Sequence, residues 1–185
     1  MSMAYNMKDV FYLDTAIDTG TTTGDGVATL DLSSYVDPIS RGRAKGTGLA
    51  IYKVHFDICD DNGNDAVASA ATGQFRAGLI SFSGVPAAAV GSASIANNTL
   101  NASNDLMIAG VNFAAGGTAA GDPPQFTFLE PSKDVPYVVV RDQVVLMISV
   151  ITAMSAGASV KVRLECAQVT LDQSTLNQLL RTQTV

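Results

Sequence analysis

The sequence predicts an all-β protein, a single jelly-roll β-sandwich of about eight antiparallel strands with long loops, occupying residues 1–185 as one domain. In residues 48–58, apolar Tyr52, Val54, Phe56 and Ile58 alternate with polar side chains, as in a strand with one buried face. Residues 144–153 are β-branched and almost entirely apolar, which indicates a strand buried on both faces. No internal segment has convincing helical periodicity, and no long repeat suggests a propeller or solenoid.

The remaining elements follow from shorter patterns. Alternation predicts strands at 27–32, 74–82 and 125–130, and an apolar run predicts another at 137–140. Asn62-Gly63 indicates a hairpin or turn. The segment up to Ile17 is mixed in character, 19–26 is turn-rich, and 83–124 is interpreted as loops around one or two short strands or a helical turn.

The last third has the strongest β pattern. Residues 158–171 alternate, but their apolar positions change parity, which predicts a bulge near Ala167. The short 155–157 connection predicts that 144–153 and 158–171 form one long antiparallel hairpin. A short helix is expected after Asp172, with Asp172 or Ser174 as its N-cap.

Composition limits the function. The chain has 185 residues, a formal net charge of -6, 15% charged residues and 47% hydrophobic residues. An acidic chain without a basic arm is not expected to bind nucleic acid directly, and so few charges indicate a surface partly covered by partners. No secretory signal pattern is present at the N-terminus, and the longest apolar run is about half of the roughly 20 residues that a membrane-spanning helix needs. We therefore expect synthesis in a cytoplasm.

Catalytic patterns are missing from the sequence. The single histidine, His55, cannot build a metal site of several imidazoles, and it is interpreted as a surface or interface residue. Neither a nucleophile elbow nor a phosphate-binding loop is present, so the chain is not expected to be an enzyme or to need a cofactor. Cys59 and Cys166 are interpreted as buried thiols, with a disulfide left open, and two glycosylation acceptor patterns, at Asn97 and Asn101, are given little weight.

An acidic cluster around Asn62-Gly63 is a weak candidate for a structural calcium site. Its carboxylates are those of Asp57, Asp60, Asp61 and Asp65. Hard cations prefer several oxygen ligands from one tight loop, but the spacing does not match an EF-hand. The alternative is a solvated turn with surplus negative charge.

Three cations alternate in the loop that precedes the central strand. Arg41, Arg43 and Lys45 share one side if the loop is extended. They are candidates for an intersubunit contact with the acidic surface of a neighbour, and the alternative is a solvated loop.

An acidic, Ala/Gly/Thr-rich β chain without a signal peptide, basic arm or active site resembles viral single jelly-roll major capsid proteins. More narrowly, it is similar to the smaller of two capsid proteins in membrane-containing icosahedral viruses of the sphaerolipovirus type. This resemblance implies a virion location, upright jelly rolls, self-association, a second jelly-roll partner in the capsomers, and proximity to an internal viral membrane. It implies no catalytic residues.

Two other classes of function stay open. One is a phage tail-tube or decoration protein, which would form rings or polymers alone. The other is a glycan-binding β-sandwich module, which would stay small and bind sugar.

Overall fold

The computed structural model describes residues 10–37, 45–63, 65–67, 71–81, 100–116 and 125–183. Within these residues lie nine strands and one helix. The strands are β1 (Phe11–Asp18), β2 (Gly24–Asp31), β3 (Lys45–Asp60), β4 (Thr72–Ile80), β5 (Met107–Gly116), β6 (Gln125–Leu129), β7 (Tyr137–Val139), β8 (Gln143–Thr152) and β9 (Ala158–Asp172), and the helix is α1 (Gln173–Thr182).

The strands form two antiparallel sheets. One has the order β1-β9-β3-β7 and the other the order β2-β8-β4-β5-β6. The pairs β1–β9, β2–β8, β3–β7 and β4–β5 are nested, so the first strand pairs with the last and the second with the next to last. Such nesting is the pairing of a jelly roll, an antiparallel ribbon wrapped into two facing sheets. The predicted fold class is confirmed, and β6 is an additional strand on the edge of β5.

The core lies between the two sheets. Alternate residues of β9, from Val160 to Cys166, face alternate residues of β8, from Val144 to Val150, and all belong to one buried cluster. In the same cluster, the rings of Phe75 and Phe113 stack with their centroids 4.9 Å apart. β8 is buried on both faces, as predicted, because its outward Val145 and Met147 belong to a second cluster with Leu100 and Leu106.

The stripe predicted on β3 is confirmed in its second half and interrupted in its first. Val54 is buried, and Phe56 and Ile58 pack against the core although they are only half-buried. A register shift between Ile51 and Lys53 makes Tyr52 the extra residue of a bulge, so Tyr52 leaves the stripe.

The bulge predicted near Ala167 therefore lies on the partner strand. β3 carries the extra residue, opposite Cys166 and Glu165, and β9 continues regularly. The change of parity on β9 has another cause, because Leu171 lies on the outer face of the sheet. A Cβ added at Gly48, on the same face, would be 3.0 Å from Leu171 Cδ1. Helix α1 follows directly, and its Leu176 packs against Gly46 on this face, so outward apolar side chains are partly covered there.

The predicted hairpin of 144–153 and 158–171 is wrong. β8 lies in the five-stranded sheet and β9 in the four-stranded sheet, so the two strands do not pair. Residues 153–157 instead carry the chain from one sheet to the other. A short turn can join two strands of one hairpin or two strands in different sheets, so the local sequence does not distinguish these two connections.

Helix α1 forms as predicted after Asp172, whose carboxylate accepts a hydrogen bond from the Thr175 backbone N–H at 2.7 Å. Leu176 is fully buried against Gly46, where an added Cβ would lie 2.6 Å from Leu176 Cδ2. Beyond the helix, the buried Gln183 amide donates to Val138 O at 2.7 Å and accepts from Ser81 Oγ at 3.2 Å. Because Ser81 follows β4 and Val138 lies in β7, this side chain connects the two sheets at one end.

Candidate interaction surface

The outer face of the five-stranded sheet carries a row of four polar side chains and one aromatic side chain that the strand register assembles. Pairing aligns β2 with β8, β8 with β4, β4 with β5, and β5 with β6. The residues brought side by side are Asp25, Ser149, Arg76, Asn112 and Phe126. They come from five strands and are far apart in the sequence.

Arg76 is held in place at the centre of this row. Its Nε donates a hydrogen bond to Asn112 Oδ1 at 2.8 Å, and its Cζ lies 4.4 Å from the centroid of the Phe128 ring. A guanidinium over an aromatic face is attracted by the negative potential of the ring. The guanidinium has further N–H donors besides Nε, so it can bind an acidic group without leaving this position.

An open hollow of about 370 Å³ lies beside Arg76, with Asn112, Ala114 and Gln74 in its lining. Phe126 and Ile151 also line it, and their side chains are 64% and 55% exposed. Two exposed apolar side chains that share one concave surface with a cation form a candidate interaction site. Towards the other end of the same face, Leu100 and Leu106 cover the sheet, so among the described residues the exposed apolar side chains of this face lie around the hollow.

The outer face of the four-stranded sheet has the opposite character. Acidic and basic side chains alternate across β1, β9 and β3, so that three pairs of opposite charges lie side by side. The neighbours in register are Glu165 with Lys53, Arg163 with Asp14, and Lys161 with Asp57. Such a balanced pattern stabilises a solvated sheet face, on which Tyr12 is an exposed aromatic side chain.

His55 lies on this charged face, as predicted from its polar register. Its Nε2 is 2.8 Å from Glu165 Oε1, and its side chain is partly exposed. The hydrogen bond from His55 holds the pKa of the Glu165 carboxyl below its ordinary value. The pair is a surface ion pair when the imidazole is protonated, and its contribution to stability is small.

The acidic turn contains a cation supplied by the chain itself. Lys161 Nζ donates a hydrogen bond to the carbonyl of Gly63, and Lys161 is the register partner of Asp57. The carboxylate of Asp60 accepts from the Asp65 backbone N–H and from the Asn62 amide, both at 3.3 Å. Over the described ranges, no group of three or more acidic, cysteine or histidine side chains is arranged to hold a metal ion. Structural calcium at this turn stays a prediction.

We expect Lys161→Met to increase the calcium dependence of stability, because it leaves the carboxylates of the turn without their counter-ion. Calcium at about 100 times its dissociation constant would raise the free energy of unfolding by about 2.7 kcal/mol. Thermal melts of both proteins, with calcium and with chelator, measure the difference. Melting curves of the wild type and of Lys161→Met that neither calcium nor chelator changes would show that calcium does not bind at this turn.

The three cations proposed for an intersubunit contact are only partly described. Arg41 and Arg43 lie outside the described residues. Lys45 begins β3, is exposed, and is the register partner of Asp172, the N-cap of α1. Their role as an interface stays a prediction.

The two cysteines are free and buried, as interpreted from the sequence. Burial raises the pKa of the Cys166 thiol to about 12 and that of Cys59 above its ordinary value. Cys59 Sγ donates to Ser159 O at 3.6 Å, and Cys166 Sγ to Phe11 O at 3.5 Å. Both thiols are buried, and a raised pKa lowers the fraction of reactive thiolate at neutral pH.

No helix among the residues described is long and apolar enough to cross a lipid bilayer. Sequence reasoning missed the hollow, because its lining comes from four strands whose register is not visible in the sequence. One signal was available: Phe126 and Phe128 share a face of a short strand, and both lie on the outer side of the sheet.

The strand pairing and surface define the chain as a jelly-roll β-sandwich with one charged outer face and one outer face on which polar side chains lie beside exposed apolar ones. No protein-family model and no curated protein matches it. Among solved structures, Merkel Cell Polyomavirus VP1 in complex with disialyllactose is similar at 7% identity and a TM-score of 0.48, covering 94% of this chain and 99% of that chain.

Two further VP1 structures show a comparable similarity. VP1 of the Trichodysplasia spinulosa-associated polyomavirus, in complex with GM1 oligosaccharide, has 8% identity and a TM-score of 0.47 over 94% of this chain and 98% of that chain. Apo New Jersey Polyomavirus VP1 has 8% identity and a TM-score of 0.48 over 89% of this chain and 100% of that chain.

Proposed function

We propose that the chain is a structural subunit of a virus capsid, which associates with other copies of itself and with a second jelly-roll protein in capsomers. The observation that carries this proposal is the open apolar hollow on the outer face of the five-stranded sheet, with Phe126 and Ile151 exposed. Apolar surface of this kind costs free energy in water until a partner covers it. The jelly roll itself is an architecture of viral capsid and lectin domains, so the fold is compatible with the proposal without establishing it.

The contrast between the two outer faces supports a subunit with a defined orientation. The charged face suits contact with water, whereas the face that carries the hollow suits contact with a neighbour. A formal net charge of -6 opposes direct binding to nucleic acid, so other components would hold the genome. An internal membrane near the shell would enclose the genome. The chain would be synthesised in the host cytoplasm before it joins the virion.

Phe126→Ser combined with Ile151→Ser should abolish assembly while changing the free energy of unfolding by no more than about 0.5 kcal/mol, because both side chains are mainly exposed. Size-exclusion chromatography with light scattering measures the masses of the wild type and the variant. We expect multiples of the chain mass for the wild type and monomer for the variant.

The matched control is Tyr12→Ser, which removes an exposed aromatic side chain from the charged face. It should assemble like the wild type. A wild type that stays monomeric at every concentration and with its natural partners would contradict the proposal. If that monomer bound sugar, the glycan-binding alternative would be favoured. A wild type that formed stacked rings or tubes would instead favour a tail-tube protein.

A further inference from the structure

A hydrogen-bonded turn between β6 and β7 presents the most exposed large apolar side chain among the residues described. Val135 is 74% exposed. The turn is closed by two hydrogen bonds, one from Ser132 N to Val135 O at 3.2 Å and one from Val135 N to Ser132 Oγ at 3.1 Å. Val135 is therefore held out from the surface by an ordered backbone, so that little entropy is lost when a partner covers it.

Two charged residues, Lys133 and Asp134, lie immediately before Val135 in this turn. The pKa of the Glu165 carboxyl is lowered mainly by its hydrogen bond from His55 and only weakly by Lys133, which is exposed next to Asp134. Asp134, immediately before Val135, is exposed. The turn therefore presents an apolar tip with a carboxylate directly beside it.

The hollow described above has the complementary features. Its exposed apolar residues are Phe126 and Ile151, and Arg76 is the cation in its lining. An apolar tip with an adjacent acid thus matches an apolar hollow with an adjacent base. Such paired complementarity determines which surfaces associate.

We propose that the Val135 turn of one copy inserts into the hollow of a second copy, with Val135 between Phe126 and Ile151 and Asp134 against Arg76. This arrangement rests on the proposed function, since it specifies how subunits would associate. β6 separates the two surfaces: Phe126 lies near its start and the turn follows its end, a span on the order of 15 Å for five residues. A contact between two different surfaces is heterologous, so repeating it closes a ring or extends a chain of subunits.

Disulfide trapping between two single variants tests this contact. Val135→Cys protein is mixed with Ile151→Cys protein under mild oxidation, and products are separated without reducing agent. The native Cys59 and Cys166 are buried and should not react. We expect a cross-linked dimer from the mixture and little from either variant alone.

The control mixture combines Val135→Cys with Tyr12→Cys, which places the second thiol on an exposed position of the charged face. If the Ile151→Cys mixture gave no more cross-linked dimer than this control, the arrangement would be overturned. Cross-linking of Val135→Cys with itself would also overturn it, because it would show a two-fold contact between identical turns. If the wild type still assembles in these cases, the proposed function stands and only this docking fails.

A charge exchange gives an independent readout. Asp134→Arg alone should weaken self-association by at least about 10-fold, since it places two cations together. Adding Arg76→Glu should restore most of the lost affinity, with circular dichroism confirming that each variant is folded. Failure of the double variant to recover, with both proteins folded, would contradict the pairing of Asp134 with Arg76.

Discussion

Phe75→Ala is expected to destabilise the protein by about 3–5 kcal/mol, the usual cost of truncating a fully buried aromatic side chain. Phe75 is 1% exposed and stacks on Phe113 between the two sheets, so its removal leaves a cavity that the strands of both sheets surround. For a domain of this size the melting temperature should fall by roughly 10 °C. Thermal and denaturant unfolding measure both quantities.

The matched control is Phe126→Ala, which makes the same chemical change on the outer face. Phe126 is mainly exposed, so this variant should differ from the wild type by no more than about 0.5 kcal/mol. Phe56→Ala should fall between the two, because Phe56 is only half-buried although the sequence pattern predicted a core position. Equal losses from Phe75→Ala and Phe126→Ala would contradict the described placement of the core.

Gly73→Ala should destabilise the protein by about 2–4 kcal/mol, from backbone strain and overpacking together. Gly73 has a φ of +139°, which side-chain-bearing residues rarely adopt. A Cβ there would lie 2.5 Å from Met154 Sδ, 2.7 Å from Met154 Cα and 3.0 Å from Ala153 O. Backbone atoms cannot rotate away as a flexible side chain can, so the connection between β8 and β9 would have to move.

Gly116→Ala provides the control for this substitution. Gly116 ends β5 at an exposed position, and a Cβ added there would meet nothing within 4 Å. We expect its melting curve to overlay that of the wild type. If Gly73→Ala were equally silent, the close approach of residues 153–154 to β4 would be wrong.

The sequence predicted most accurately the features that depend on the burial pattern of one strand at a time. The apolar run at 144–153 indicated burial on both faces, and β8 has one core cluster on each side. β1 was missed although Phe11, Leu13 and Ile17 alternate inwards, because the outward Tyr12 is also large and aromatic. Tyr12 is accommodated outside the core by Arg163, whose Cζ lies 5.8 Å from the ring centroid.

What the sequence did not predict depends on partners far apart along the chain. The turn after β8 has the same local signal whether the next strand pairs with β8 or crosses to the other sheet. The carboxylates around Asn62-Gly63 suggested a cation site, but the ammonium that reaches this turn belongs to Lys161, on a strand about 100 residues later. The hollow likewise requires the register of four strands, so Arg76 and Phe126 were not recognised as neighbours.

Electron microscopy of the assembled protein, at a resolution that places the two sheets, tests the capsid proposal most directly. The account predicts closed shells in which the face with Phe126 and Ile151 is buried between neighbouring subunits, while the face with Lys53, Arg163 and Lys161 contacts solvent. Shells or other assemblies in which the hollow faces open solvent and the charged face forms the contacts would contradict it. A protein that remains monomeric with all its natural partners present would contradict it as well.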